Sequence, residues 1–335
     1  MGKQGIACAT VTGLTLALAG CGGSSSSSSA ETDGTDGQTT TVSLTLPFKA
    51  MVGSEAVACG TSYQGLGTAS TEVTFEDFRL FVYDVRVVTD QGEEIALVLD
   101  PDQAGQNDHV ALLDFRDKAD VDETGVIQEI CTTGDDANPN FKDSITGTIT
   151  LDSGTVISDI AFTIGVPFEL NHADQAAAEE PLRNPGMATG MTWNWQNGYK
   201  FMALEVLPVG GITRPTDAEY LNSRWNIHLG STGCEVSTSE LAEGTAPEAC
   251  DAPNRLDVTL PVGGLELANL AISIDYEALV STVNLSQDEG GAAGCMSFAG
   301  DPECDRIFNN LALPFGDEDN IGGNPNAVVF SVVEG

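Results

Sequence analysis

Two of this chain's three histidines, His172 and His228, stand on either side of its most aromatic stretch, Met191-Thr192-Trp193-Asn194-Trp195-Gln196-Asn197-Gly198-Tyr199-Lys200. His172 ends the run Gly165-Val166-Pro167-Phe168-Glu169-Leu170-Asn171-His172, and His228 lies in Trp225-Asn226-Ile227-His228-Leu229-Gly230. A neutral imidazole offers a lone pair to a metal, a thioether is a soft donor, and an indole can be oxidised. Together they suit one ion of a redox-active metal such as copper better than Ca2+ or Mg2+, which require several oxygens. His172 and His228 are therefore the candidate ligands, with Met191 as a nearby thioether and Trp193 or Trp195 as the indole. Each feature also has a plainer reading. A single histidine at a strand end is ordinarily a surface or capping residue, and tryptophans two apart ordinarily share one packed face. The combination is what points to a metal. His109 has no such company and reads as structural.

Other chemistries find less support. The chain has no Gly-x-Ser-x-Gly elbow, no His-Glu-x-x-His and no glycine-rich phosphate loop. The acidic loops at residues 301–305 and 317–320 offer carboxylates for weak Ca2+ binding, but they lack the calcium-loop pattern of an EF-hand and read better as solvated turns. With 13 Lys+Arg against 50 Asp+Glu, a formal net charge of -37, the surface repels phosphate backbones. Nucleic acid is excluded as a partner on that ground, and anionic lipid headgroups are repelled in the same way.

Membrane attachment must then come from the N-terminus. Lys3 precedes a mildly apolar stretch, residues 6–18, too short to span a bilayer, and it ends in Leu18-Ala19-Gly20-Cys21. That ending is similar to the lipobox of bacterial lipoproteins, in which the cysteine is lipidated and the chain is cut just before it. Residues 1–20 are expected to be a lipoprotein signal peptide, with an ordinary secretory signal as the alternative. Cys21 is then the lipid anchor and 21–41 a Ser/Gly/Thr-rich disordered tether. The folded domain, 42–335, would sit in the periplasm or at the cell surface, as an outer-membrane lipoprotein does. Cys8 leaves with the signal, so six cysteines remain for an oxidising compartment. Cys234 with Cys250 and Cys295 with Cys304 are the local pairings expected, and Cys59 with Cys131 the long-range staple. No CxxC spacing occurs, which argues against a thiolate cluster.

The elements that must position these residues read as strands. Val42-Ser43-Leu44-Thr45-Leu46 alternates, and residues 78–88 are dense in β-branched and aromatic types, as in a central strand. Further strands are expected at 94–99, 109–115, 145–151, 156–164, 199–206, 225–229, 256–260, 267–274 and 327–333. Alternation places Ile227 and Leu229 on one face and His228 on the other. Residues 174–180 are the one expected helical turn. Many short strands punctuated by Gly, Asp, Asn and Pro predict an all-β fold: a single antiparallel β-sandwich or barrel-like domain with long loops, stapled by disulfides.

Several segments, taken in order, match a known pattern: Val110-Ala111-Leu112-Leu113-Asp114-Phe115, residues 165–174, Pro181-Leu182, residues 191–201, His228-Leu229-Gly230-Ser231-Thr232-Gly233-Cys234 and Cys250-Asp251-Ala252-Pro253-Asn254. Across roughly residues 42–280 the chain resembles the methanobactin-associated MbnP-like proteins, also called the metallo-mystery-pair four-Cys motif family. Its four cysteines fall on Cys59, Cys131, Cys234 and Cys250, leaving Cys295 and Cys304 as a local addition. The resemblance implies a secreted or lipid-anchored copper-binding protein that is not itself an enzyme. It also implies a partner, a dihaem cytochrome c peroxidase-like enzyme of the MauG/MbnH type, that oxidises a tryptophan to kynurenine. Trp195 is the favoured precursor, ahead of Trp193 and Trp225, and Asn171, Asp174 and Tyr199 would orient the imidazoles. Two other classes compete with this reading: a surface-anchored structural or adhesive β-domain whose aromatics only pack, and an enzyme, either a copper oxidase or a carbohydrate-active hydrolase.

Overall fold

Alternate burial along the first strand, Thr39–Val52, shows how the core begins: Leu44, Leu46, Phe48, Ala50 and Val52 point inward and the residues between them point out or to the rim. The computed structural model describes residues 39–123, 127–131, 136–193, 197–234, 236, 246–316 and 323–335. The leader with Cys21, Trp195 and the acidic loop 317–320 lie outside the described residues. Gln38–Gly335 forms one compact unit.

Two main sheets carry the fold. The first strand pairs with Ser144–Asp152 on one side and Leu270–Asp275 on the other, and Leu270–Asp275 pairs with Phe330–Glu334. The second sheet is built on the longest strand, Thr71–Thr89, whose central residues 77–82 are all buried. It pairs with Ile157–Ile164, Val110–Asp114 and Met202–Pro208, and Met202–Pro208 in turn pairs with Trp225–Leu229. Phe162 of this sheet meets Phe48 and Phe330 of the other edge-on, at 5.5 and 6.1 Å between centroids, so apolar side chains fill the space between them. The fold is all-β, with one sheet curled into a half-barrel. Most pairings are antiparallel, but Thr39–Val52 with Leu270–Asp275 and Trp225–Leu229 with Gly294–Cys295 are parallel.

Local chemistry moves some elements from where patterning put them. Residues 174–180 form turns, because the Asp174 carboxylate accepts from Ala176 N–H and so competes with a helix. The helical turn lies just before, at Phe168–Asn171 behind Pro167. The strand expected from 267 starts only at Leu270, after a short 3-10 turn, Leu267–Asn269. Two helices had not been anticipated. Asp275 caps Tyr276–Val280 by accepting from the backbone of Glu277 and Ala278, and Cys304–Asn310 follows a loop disulfide.

Disulfides join Cys59 to Cys131, Cys234 to Cys250 and Cys295 to Cys304, as in chains that fold in an oxidising compartment. No helix among the described residues is long and apolar enough to cross a membrane. The Cys59–Cys131 bond closes 72 residues of sequence, the longest loop of the three. Replacing both cysteines by serine should cost about 2–5 kcal/mol. Guanidinium denaturation of the variant against the parent chain checks this.

Candidate metal centre

Three adjacent strands bring charged residues onto one face of the larger sheet. The register sets Arg79 beside Ala203 and Ala203 beside His228, and one step along it sets Asp77 beside Glu205 and Glu205 beside Asn226. Trp225, Ile227 and Leu229 take the opposite, apolar face, so His228 is turned away from them as alternation requires. Between Asp77 and Phe75 the register slips, leaving Glu76 outside the ladder to pair with Arg224.

The charges on this face are paired almost completely. Arg79 forks onto Asp77 through Nε and Nη2 at 2.8 and 2.5 Å, and Arg116 lies 3.7 Å from the same carboxylate. Arg116 also grips Asp114 at 2.8 and 2.6 Å. Burial alone would raise the Asp77 pKa, but the two guanidiniums outweigh it and hold the group below the usual carboxylate range. Glu205 behaves alike: burial pushes it up, and the hydrogen bond from His228 with the Arg224 charge brings it below its ordinary value.

His228 Nε2 lies 2.8 Å from Glu205 Oε1, and the ring is only 7% exposed. Burial depresses its pKa, against the pull of Glu205, so the imidazole is neutral at neutral pH. A carboxylate can only accept, so the ring proton sits on Nε2 and the lone pair on Nδ1. Carboxylate-oriented histidines of metal centres have this arrangement. Lys200 lies in the same field, its pKa lowered by burial.

His172, 6% exposed, has different neighbours. The preceding helical turn delivers Asn171, fully buried, whose Oδ1 accepts from Tyr199 N–H at 2.9 Å. That bond fixes the amide and turns its Nδ2 toward His172 Nε2, 3.1 Å away. Phe168 stacks edge-on at 4.9 Å. Gly198 makes the approach feasible: its φ is +72°, and a Cβ there would stand 2.4 Å from Asn171 Oδ1. Cys250 Sγ lies 3.5 Å from His172 Nε2, and with Cys234 Sγ these donor atoms fall within 4.8 Å of one another. The two sulfurs are bonded to each other at 2.03 Å, so neither is a thiolate and the trio is no metal site in the oxidised chain.

The described residues of the aromatic stretch touch the neighbours of both histidines. Trp193 N–H donates to Gly198 O, and its half-buried ring lies against Phe298 at 5.5 Å. The ring also covers Gly230, where a Cβ would meet it at 2.7 Å. Tyr199 is buried with its hydroxyl on Leu182 O, and Phe201 N–H reaches Leu229 O next to His228. Met191 is completely buried in the apolar core. Trp225 is sealed, its Nε1 without a partner. Asp174 is exposed, holding its own turn, and His109 is exposed beside Asp108. A cavity of about 560 Å3, lined by Thr232, Asp251, Asn254, Arg255, Ser297 and Phe315 among others, adjoins this region. Asn254 donates to Gly230 O and Ser297 to His228 O.

Sequence reasoning missed Glu205 and the Asp77–Arg79–Arg116 group. The signal was present as charged residues inside apolar runs, Phe75-Glu76-Asp77-Phe78-Arg79-Leu80 and Met202-Ala203-Leu204-Glu205-Val206. Half-buried strands do not carry such charges by chance.

With this geometry in view, the family model for MbnP matches residues 41–297, more than half of the chain. The chain belongs to the MbnP family. Among solved structures, it is similar to MbnP from Methylosinus trichosporium, with 28% identity and a TM-score of 0.68 over 88% of this chain and 99% of that one. No curated protein matches it. The MbnP match covers both buried histidines and the aromatic stretch, and stops before Cys304.

Asp77 and Glu205 have pKa values depressed in the folded chain, so the stability they supply is complete above the ordinary carboxylate range. It drains away as pH falls through their lowered values. Asp77→Asn removes that term and leaves two buried guanidiniums short of a partner, at an expected cost of about 3–5 kcal/mol. Urea denaturation from pH 7 to pH 3 should show the parent losing its advantage over the variant only at the acid end. For His228, Glu205→Gln should lower the imidazole pKa further, because the carboxylate supports the protonated ring; a histidine NMR titration reads the shift.

Proposed function

We propose that this MbnP-family chain is an extracytoplasmic copper-binding protein, held to a membrane through Cys21, that takes part in copper acquisition or handling and catalyses no reaction. The observation that carries the reading is the buried, neutral His228 with Glu205 on Nε2. This pairing frees Nδ1 as a donor and lies in the family-matched region. His172 is the second imidazole, its ring steered by Asn171 and, through it, by Tyr199. Copper bound there would supply a redox-active centre with a preference for nitrogen donors. The protein's part is to hold His228 neutral, to orient both rings and to limit water.

The tryptophans divide by surroundings. Trp225 is sealed on the apolar face, whereas Trp193 is half-buried at the start of the aromatic stretch, where an oxidising partner has easier access. Trp195 remains the proposed kynurenine precursor, with Trp193 next. Ring opening would give an aryl amine and a ketone, where the indole offers only an N–H donor. The partner proposed for that step is a dihaem cytochrome c peroxidase-like enzyme. A thioether contribution from Met191 would require that side chain to leave the core, so the reading rests on the imidazoles. The competing reading, an anchored structural or adhesive domain, draws on His172 packing against Phe168 and a disulfide.

Metal analysis of the chain, co-expressed with its dihaem partner, should find about one copper, lost on His172→Ala or His228→Ala. Retention of copper in both variants overturns the assignment. Mass spectrometry should show a gain of about 4 Da on one tryptophan peptide, since the conversion loses one carbon and gains one oxygen. Three intact tryptophans, with no copper bound, would favour the structural reading.

A further inference from the structure

The acidic segment expected to be a solvated turn is solvated only in part. Glu303 is 2% exposed and Asp288, fifteen residues earlier, is 0% exposed. Glu303 lies within the loop closed by the Cys295–Cys304 disulfide, and Asp288, ahead of that loop, docks on the strand Ile212–Arg214 through Asp288 N–H to Thr213 O. Each carboxylate uses one oxygen and leaves the other stranded. Asp288 Oδ2 accepts from the Arg214 guanidinium, while Asp288 Oδ1 is buried with no donor. Glu303 Oε1 accepts from Glu289 N–H at 2.5 Å, while Glu303 Oε2 is buried with no donor. Carboxylate oxygens sealed from water without a donor are among the costliest groups a fold can hold.

Their surroundings make the deficit one of charge as well as of hydrogen bonds. Asp301 is the third carboxylate here, its oxygens accepting from Met296 N–H and Glu303 N–H. Of the three, Asp288 alone is paired with a guanidinium, that of Arg214. The nearby Glu289–Arg306 pair is exposed and self-compensating. Burial first, and then the Asp288 and Asp301 charges, raises the Glu303 pKa to about 8. The burial of Asp301 raises its pKa too.

We propose that Asp288 and Glu303 form a binding site for one hard divalent cation, best matched by Ca2+, with their two stranded oxygens as ligands and Asp301 beside them. The available donors are all oxygen, which suits a hard cation such as calcium better than Cu(I), and a divalent charge would displace the Glu303 proton and offset the surplus of carboxylates. This proposal does not rest on the copper reading. It does bear on the same region, because the clamped loop carries Ser297, hydrogen-bonded to His228 O, and Phe298, packed on Trp193. A cation there would brace that wall of the cavity.

The test is a thermal melt of the full-length, disulfide-intact chain in chelator, then in millimolar Ca2+ or Mg2+ at equal ionic strength. The expected result is a rise in Tm of about 5 °C with Ca2+ and a clearly smaller one with Mg2+. Asp288→Asn and Glu303→Gln should each abolish the Ca2+ response. Glu303→Gln is the more informative variant, because it keeps the shape of the side chain and leaves the Asp288–Arg214 pair in place. Calorimetric titration of the parent should give one site per chain. The proposal is overturned if the parent does not respond to Ca2+, as it would not if the carboxylates shared a proton instead. Equal responses in parent and Glu303→Gln, or equal responses to both cations, overturn it as well.

Discussion

Asp77 lies buried in the longest strand, with Arg79 forked onto both its oxygens and Arg116 at 3.7 Å. A charge so placed is tolerable only while both guanidiniums are present, and each of them is tolerable only because of a carboxylate. That mutual dependence fixes more than two side chains. Arg79 also donates to Thr189 O, tying down the loop that leads into Met191 and Trp193, and Arg116 fixes Asp114 at the end of the neighbouring strand. The aromatic stretch and the charged face of the sheet are thereby fastened to one another. A purely apolar sheet would have packed as well, but it would not have specified this loop position.

Against that anchored background the two histidines differ in kind. His228 is a strand residue, its ring placed by register and oriented by Glu205 from the next strand. His172 is a loop residue, and its orientation is relayed from the Tyr199 backbone through the Asn171 amide. Strands hold a side chain by their own hydrogen-bond ladder, whereas loop residues need dedicated partners. Gly198 and Gly230 fit the same logic. Each is bare because another group occupies the space of its Cβ: Asn171 in one case and Trp193 in the other.

Much of this architecture was legible in the residues. The alternation of 42–46, the dense run at 78–88 and the five residues Trp225–Leu229 all became strands, and the face assigned to His228 follows from counting by twos. The unread parts share a physical cause. Alternation reports which residues face water and says little about which strands become neighbours, so the parallel pairings and the partnership of His228 with Glu205 were invisible. Residues 174–180 looked helical by composition, yet an Asx turn at Asp174 diverted them. Glu303 looked exposed because carboxylates normally are, and its burial comes with its place inside the loop that the Cys295–Cys304 disulfide closes.

The order of strands in the smaller sheet governs when it can assemble. Its first strand, Thr39–Val52, finds one neighbour at Ser144–Asp152 but the other only at Leu270–Asp275, and that strand in turn waits for Phe330–Glu334. A polypeptide delivered N-terminus first therefore keeps the edge of Leu270–Asp275 unpaired until Phe330–Glu334 arrives. Contacts so distant in sequence slow folding and leave a sticky edge exposed meanwhile. The acidity of the chain has a kinetic use in that interval, since strong like charge discourages unfinished molecules from pairing with each other.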